Sequence, residues 1–235
     1  MAAFLQTMDV LFRISFRMHD IACDLIAKHF FLLKKAILSV AFLSLIGAFF
    51  PSVFRQYGEL AGNLLIVILF LSPLSKILRT RILLQMMGFR RELGILMGYL
   101  ALVHGLGFLI QLGGISILVP PPDSAPAGFF PLLGFIGLLL IIPLLLTSNT
   151  ISVKFFGLFW KKIHYLVYPA FFFIVMHRML SGVSGGSAMR ITEAIALLFG
   201  YGMLKLFAWK PFIPPAEKYI AIVAKKYRDY QSETH

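Results

Sequence analysis

The sequence is poor in charge and nearly free of cysteine. Only 14% of its 235 residues are charged, and Cys23 is its only cysteine. A soluble domain carries about 25% charged residues, so the composition excludes an ordinary soluble domain. A single thiol forms neither an internal disulfide nor a Cys-ligated zinc or iron–sulfur site. The sequence also lacks a P-loop and a Gly-rich dinucleotide fingerprint, so we expect no dehydrogenase domain in this chain.

Long apolar runs take the place of charge. Hydrophobic residues make up 59% of the chain, and its mean hydropathy is +0.87. A membrane-spanning helix needs about 20 mainly apolar residues. The sequence therefore predicts an all-α, polytopic membrane bundle of six transmembrane helices, at Ala36–Phe54, Leu60–Ser75, Leu93–Leu112, Phe129–Leu146, Ile163–Leu180 and Ile191–Trp209.

Lysine and arginine are distributed unevenly between the predicted loops. Nineteen of the 22 lie in the N-terminal segment, the second-to-third and fourth-to-fifth loops, and the tail from Lys205 onward. The positive-inside rule then predicts that both termini are cytoplasmic. The net charge of +12 is explained by this topology. Because no basic stripe interleaves with exposed aromatics, we expect no nucleic-acid partner.

Three regions follow from these patterns. Residues 1–35 are predicted to be an amphipathic segment at the cytoplasmic interface with lipid, or alternatively a partner-binding segment. Residues 36–209 form the six-helix transmembrane domain, and residues 210–235 form a basic cytoplasmic tail. The outer loop Gly113–Gly128 contains Pro120, Pro121 and Pro122, and it is either a docking surface for an outer partner or a plain connector.

Three of the six histidines, His104, His164 and His177, lie in the predicted spans or at their edges. Ionisable side chains are costly in hydrocarbon and mark function by default, and neutral imidazole ligates haem iron. His104 lies about 16 Å from the cytoplasmic edge of its helix, and His177 about 20 Å from His164. Since His104 and His177 then share the outer half of the membrane, they are predicted to ligate one b-type haem from opposite sides.

His164 lies at the cytoplasmic edge, where Arg90 and Arg91 face it in place of a matching histidine. Three hypotheses stay open: a second haem with an unusual sixth ligand, a flavin or quinone site in which the arginines bind phosphate or propionate, and a structural histidine. A 13-residue step turns a helix by about 140°, so His164 and His177 share a face only if Pro169 changes the phase.

Small and basic residues near these histidines have two interpretations each. Arg178, next to His177, either pairs with a haem propionate at the outer surface or is a plain charge. The third helix carries glycines that either admit a porphyrin face or allow close helix packing, namely Gly94, Gly98, Gly105 and Gly107.

These residues resemble the MsrQ (YedZ) family. The resemblance extends over roughly 60–209. It rests on Arg90-Arg91-Glu92-Leu93-Gly94 leading to Leu102-Val103-His104, on Thr147-Ser148, on the run from Leu158 to Tyr168 around His164, and on His177. The family is the haem-binding membrane subunit of a periplasmic methionine sulfoxide reductase system, within the wider ferric-reductase-like transmembrane group.

The resemblance implies that His104, His164 and His177 are haem-associated. It also implies electron transfer across a bacterial inner membrane, from a quinol pool or a cytoplasmic flavin reductase, with FMN in some members, to a periplasmic molybdenum enzyme. Two alternatives are a ferric-reductase-like carrier with another outer acceptor and a transporter whose histidines relay protons. The transporter would need further intramembrane acids, and the only acids near the spans, Glu59, Glu92 and Glu193, lie at helix ends.

Overall fold

The protein is described by a computed structural model that covers residues 17–111, 129–183 and 191–209. Every regular element in these ranges is a helix, which confirms the predicted all-α class. Residues 1–16 of the predicted amphipathic segment, the outer loop Gly113–Gly128 and the basic tail 210–235 lie outside the described residues.

Ten α-helices occur in the described ranges. The first, α1, passes through residues 17–28. The others are α2 (Phe30–Leu43), α3 (Phe54–Leu78), α4 (Arg81–Met87), α5 (Arg90–Gln111), α6 (Phe130–Leu146), α7 (Thr150–Phe156), α8 (Leu158–His164), α9 (Val167–Val183) and α10 (Ile191–Trp209). Short 3₁₀ turns at Ser44–Phe49 and Pro51–Val53 join α2 to α3.

Within the described residues, five of the six predicted spans are confirmed with shifted ends, and the predicted fourth span qualifies only as part of a bent pair of helices. Five stretches are singly long and apolar enough to cross a membrane: Phe30–Phe49, Pro51–Leu78, Arg90–Gln111, Leu158–Ser181 and Ile191–Ala208. The predicted fourth span is Phe130–Leu146, which qualifies only if it is counted together with Thr150–Phe156 as one span bent by 90°. The first span begins six residues before the predicted Ala36, and the second begins at Pro51 instead of Leu60, with Arg55 and Glu59 paired in its first turns.

The helices pack around a central apolar cluster. α3 packs most extensively on α5, and α6 on α9, while α10 lies against α3 and α2 against α5. Leu65, Leu69, Leu100, Ile141 and Val175 are buried where these pairs meet. Other large apolar side chains point outward, as expected of a bundle whose solvent is lipid.

Charged residues mark one end of the bundle. The C-terminal end of α3 and the N-terminal end of α5 adjoin through α4, and Arg91 Nε donates to the Ser148 carbonyl just after α6. This end, where Lys76, Arg79, Arg90, Arg91, Lys161 and Lys162 lie, is called the basic end, and the opposite one the far end. The described part of the N-terminal segment contacts α4 there, through Arg81 and Asp24 at 2.7 Å.

The fifth span is broken between His164 and Val167. The amide of Leu166 donates to the Ile163 carbonyl and that of Tyr168 to the Tyr165 carbonyl, so the chain makes tight i→i−3 turns. Pro169, the third residue of α9, has no amide hydrogen to bond the Tyr165 carbonyl, and the amide of Tyr168 takes that place. The helix is therefore interrupted just before the proline, although His164 and His177 do not line the same cavity.

Gly157 separates α7 from α8 with φ +49° and ψ −122°, a conformation that costs a residue with a Cβ about 1–3 kcal/mol. We expect Gly157→Ala to lower the free energy of unfolding by that amount, measured by thermal unfolding in detergent. Gly202, inside α10 with open space around it, is the matched control, since Gly202→Ala should be neutral or stabilising by about 0.5–1 kcal/mol. Equal effects of the two changes would contradict this account.

Candidate functional site

His104 on α5 and His177 on α9 face each other across the bundle. Their ring centroids are 6.1 Å apart, and the ring planes cross at 70°. Both rings line one cavity of about 560 Å³ near the far end, between α3, α5, α6 and α9. The similar membrane depths that helical rise predicts for His104 and His177 agree with this short distance between their rings.

Both imidazoles are oriented by backbone carbonyls. The Nδ1 atom of His104 lies 2.8 Å from the Phe54 carbonyl oxygen, and the Nδ1 atom of His177 lies 2.7 Å from that of Phe130. A carbonyl oxygen only accepts hydrogen bonds, so each Nδ1 carries the proton and donates it. In the neutral imidazole, Nε2 then keeps an unprotonated lone pair, which is the state in which a histidine ligates a metal.

The cavity is apolar along its walls and polar at one side. Phe108, Leu138 and Ile174 are among the apolar lining residues. On the polar side, Arg178 Nη1 donates to Asn63 Oδ1 at 2.9 Å, and Arg55 pairs with Glu59. This division suits an amphiphilic ligand with a large apolar body and anionic groups.

Within the part of the chain that the structure describes, the two imidazoles lack the further protein ligands that a bare metal ion would need. Among residues 17–111, 129–183 and 191–209, no group of three or more His, Cys, Asp or Glu side chains is placed to hold one. Two axial nitrogens do suffice for a metal whose other ligands come from a macrocycle, as in haem.

His164 lies apart from this cavity, at the basic end. Its ring stacks on Trp160 with centroids 4.0 Å apart, and its Nε2 lies 3.3 Å from Thr147 Oγ1. The Thr147 hydroxyl donates its one proton to the Pro143 carbonyl at 2.7 Å, so it accepts from His164, whose Nε2 must carry a proton. The tautomer is therefore opposite to that of His104 and His177, and Nδ1 holds the lone pair.

The predicted arginines separate in the same way. Arg178 lines the cavity, whereas Arg90 and Arg91 lie at the basic end with His164. Arg91 is bonded to the Ser148 carbonyl, which joins α5 to the end of α6. Arg90 lies within electrostatic range of His164.

A second polar cluster lies between α9 and α10. Lys205 Nζ donates to Tyr168 Oη at 2.8 Å, and it also lies over the Tyr168 and Tyr201 rings, 4.8 and 5.9 Å from their centroids. The sequence assigned Lys205 only to the topology charges. Its contacts instead hold a cation inside the sixth span by a hydrogen bond and cation–π attraction.

Of the four glycines that the sequence proposed for a porphyrin face, only Gly105 lines the cavity. A Cβ on Gly98 would meet Leu145, one on Gly107 would meet Phe54, and Gly94 faces open space. The sequence reasoning missed Gly58 and Gly134, which back the two imidazoles directly. The only signal for them was a Phe four residues earlier in both helices.

Known proteins resemble the chain over most of its length. Residues 57–175 match the family described as the ferric reductase like transmembrane component. The chain is also 30% identical over 168 residues to the "Protein-methionine-sulfoxide reductase heme-binding subunit MsrQ" of Brucella ovis, Brucella canis and Brucella suis, an alignment that covers 70% of this chain and 74% of each relative. No solved structure matches.

The six-helix bundle and its family match define the class, a ferric-reductase-like transmembrane protein. Within that class, the chain belongs to the MsrQ family.

Proposed function

We propose that this chain is a membrane b-type cytochrome that carries electrons across the bilayer. The observation that carries the proposal is the pair of imidazoles of His104 and His177, each with Nδ1 bonded to a carbonyl and Nε2 left as a ligand. The names of the relatives, which are heme-binding subunits, support it. When bound there, haem supplies one-electron oxidation and reduction.

His104 and His177 would hold the haem between them, because their ring centroids lie 6.1 Å apart across one cavity. With histidines as both protein ligands, the haem would offer no open position to a substrate, which favours electron transfer over oxygen or substrate chemistry.

The residues around the histidines would seat the group. The apolar lining keeps water from the imidazoles, and Arg178, held by Asn63, supplies a guanidinium for a propionate at the polar side. Arg55 is the second arginine in that lining, and we propose the same task for it.

For the direction of transfer, we propose entry at the basic end and exit at the far end. The positive-inside rule makes the basic end cytoplasmic in a bacterial inner membrane, with both termini on that side. We propose quinol or a cytoplasmic flavin reductase as the donor and a periplasmic methionine sulfoxide reductase as the acceptor. The relatives are named as heme-binding subunits of a protein-methionine-sulfoxide reductase, which supports this acceptor.

We propose that the electron donor binds at the basic end, in contact with His164, Arg90 and Arg91. His164 uses Nε2 to hold Thr147, which leaves Nδ1 for a ligand. Three ligands are candidates for the site near His164: a flavin such as FMN, a quinone, or a second haem. Haem per polypeptide in His164→Ala separates them: loss of half the haem supports two haems, and no loss supports flavin, quinone or a structural role.

Reconstitution in liposomes tests the electron transfer itself. We expect oriented proteoliposomes with a reduced flavin inside to reduce an oxidised methionine sulfoxide reductase outside. Vesicles with His177→Ala should reduce the outer enzyme only at the background rate of protein-free vesicles. Reduction of outer ferric chelate but not of the reductase would support the alternative acceptor. Proton flux in haem-free vesicles would instead favour the transporter.

A further inference from the structure

The two histidines of the cavity meet the same local arrangement on two different helices. Phe54 is the first residue of α3 and Phe130 the first residue of α6, and each offers its carbonyl to one histidine. Four residues later, α3 has Gly58 and α6 has Gly134. The repeated pattern is Phe-x-x-x-Gly at a helix start.

Helix geometry explains why the residue four positions after each Phe is glycine. The carbonyl of residue i accepts from the amide of residue i+4, and its second lone pair can accept another donor from outside the helix. The Cα–Cβ bond of residue i+4 tilts towards the N-terminus, over the face that carries this carbonyl. A side chain at i+4 therefore stands where the imidazole must approach.

The distances show that this space is filled. A Cβ on Gly58 would lie 2.4 Å from Cε1 and 2.5 Å from Nδ1 of His104. A Cβ on Gly134 would lie 2.7 Å from Nδ1 and 2.8 Å from Cε1 of His177. Each ring is tied to its carbonyl, so it cannot retreat without losing the hydrogen bond.

We propose that each Phe-x-x-x-Gly pair is a positioning device for one axial imidazole, and that the two devices together set the angle between the two rings. The carbonyl selects the tautomer with Nε2 unprotonated, and the glycine allows the ring to lie against the helix backbone. Because the devices sit on different helices, the ring planes cross at 70°. This inference rests on the proposed haem ligation.

The device has a spectroscopic consequence. Partners of a metal-bound histidine set its tautomer, orientation and basicity, and hydrogen bonding around the ligands tunes the reduction potential of a haem. Axial imidazoles fixed close to perpendicular give a strongly anisotropic low-spin ferric signal in electron paramagnetic resonance. We expect this signal in the wild-type protein.

The test uses Gly58→Ala and Gly134→Ala, with Gly94→Ala as the matched control because it lies on α5, next to open space. Each of the two variants should lose the anisotropic signal, gain a high-spin component and shift the midpoint potential, with haem held about 10–100-fold more weakly. Gly94→Ala should keep the wild-type spectrum and potential.

A double-mutant cycle on the Tm of the haem-free protein tests the device in variants that bind haem too weakly for spectroscopy. Gly58→Ala should lower Tm when His104 is present and have little effect in a His104→Ala background, where the clash is gone. Gly134→Ala should still lower Tm in that background, because its clash is with His177.

The outcomes separate the device from the haem proposal. If the wild type holds haem and both glycine variants behave like Gly94→Ala, the device is wrong and the haem proposal stands. The device is also wrong if Gly58→Ala lowers Tm equally with and without His104. A wild type that holds no haem overturns the haem proposal and the ligation role with it.

Discussion

Replacing either His104 or His177 by alanine is expected to remove most of the haem at the far-end site. Loss of a partner in the outer shell of a metal site costs about 10–100-fold in affinity, and loss of an axial ligand should cost more. Among the described residues, the side chains of the lining next to the rings, such as Phe108 and Leu138, are mainly apolar and cannot replace the lost ligand. Haem per polypeptide and the reduced-minus-oxidised spectrum measure the effect.

The control for this prediction is His29→Ala. His29 is exposed just before α2, outside the cavity lining, so its loss should leave haem content unchanged. Added imidazole should restore part of the spectrum in His104→Ala by entering the space that the ring vacates. A His104→Ala protein with full haem content and an unchanged low-spin spectrum would rule out His104 as a ligand.

Replacing Lys34 by alanine is expected to cost about 3–5 kcal/mol of the free energy of unfolding, because it leaves a buried carboxylate without its cation. Lys34 Nζ lies 3.3 Å from Oε1 of Glu92, whose side chain is only 7% exposed. The other carboxylate oxygen, Oε2, has no hydrogen-bond partner among the described residues. The pair joins α2 to α5, so its loss should also loosen the first span.

Lys35→Ala is the matched control, since Lys35 is exposed and a surface change of this kind usually stays within about 0.5 kcal/mol. The double change Lys34→Met with Glu92→Leu should recover most of the lost stability, because an apolar pair removes both buried charges. Thermal unfolding in detergent measures all three. A Lys34→Ala protein as stable as Lys35→Ala would show that the pair contributes nothing.

The fate of His164 illustrates where sequence reasoning stopped. Its depth at the basic end followed from its position in the chain, as did the lack of a facing histidine. Its tautomer depends on the Thr147 hydroxyl, which in turn depends on the Pro143 carbonyl. No count of residues along α8 predicts a hydrogen bond that α6 supplies.

The cavity illustrates the same limit. Arg178 was assigned to the outer surface beside His177, and it does line the cavity, but its bond to Asn63 joins residues 115 positions apart. The glycines on α5 were proposed because small residues allow a neighbour to approach the backbone closely, and most of them serve helix packing. Glycines on α3 and α6 lie against the histidines instead.

The sequence by itself determined the six membrane helices and the depth of each histidine. Both are local properties, because hydropathy sums over one segment and helical rise adds along one axis. Only the tertiary structure decided that carbonyls of Phe54 and Phe130 orient His104 and His177, since these bonds join residues 50 and 47 positions apart. It also decided which glycines must stay without a side chain, because that depends on the ring that a neighbouring helix brings against them.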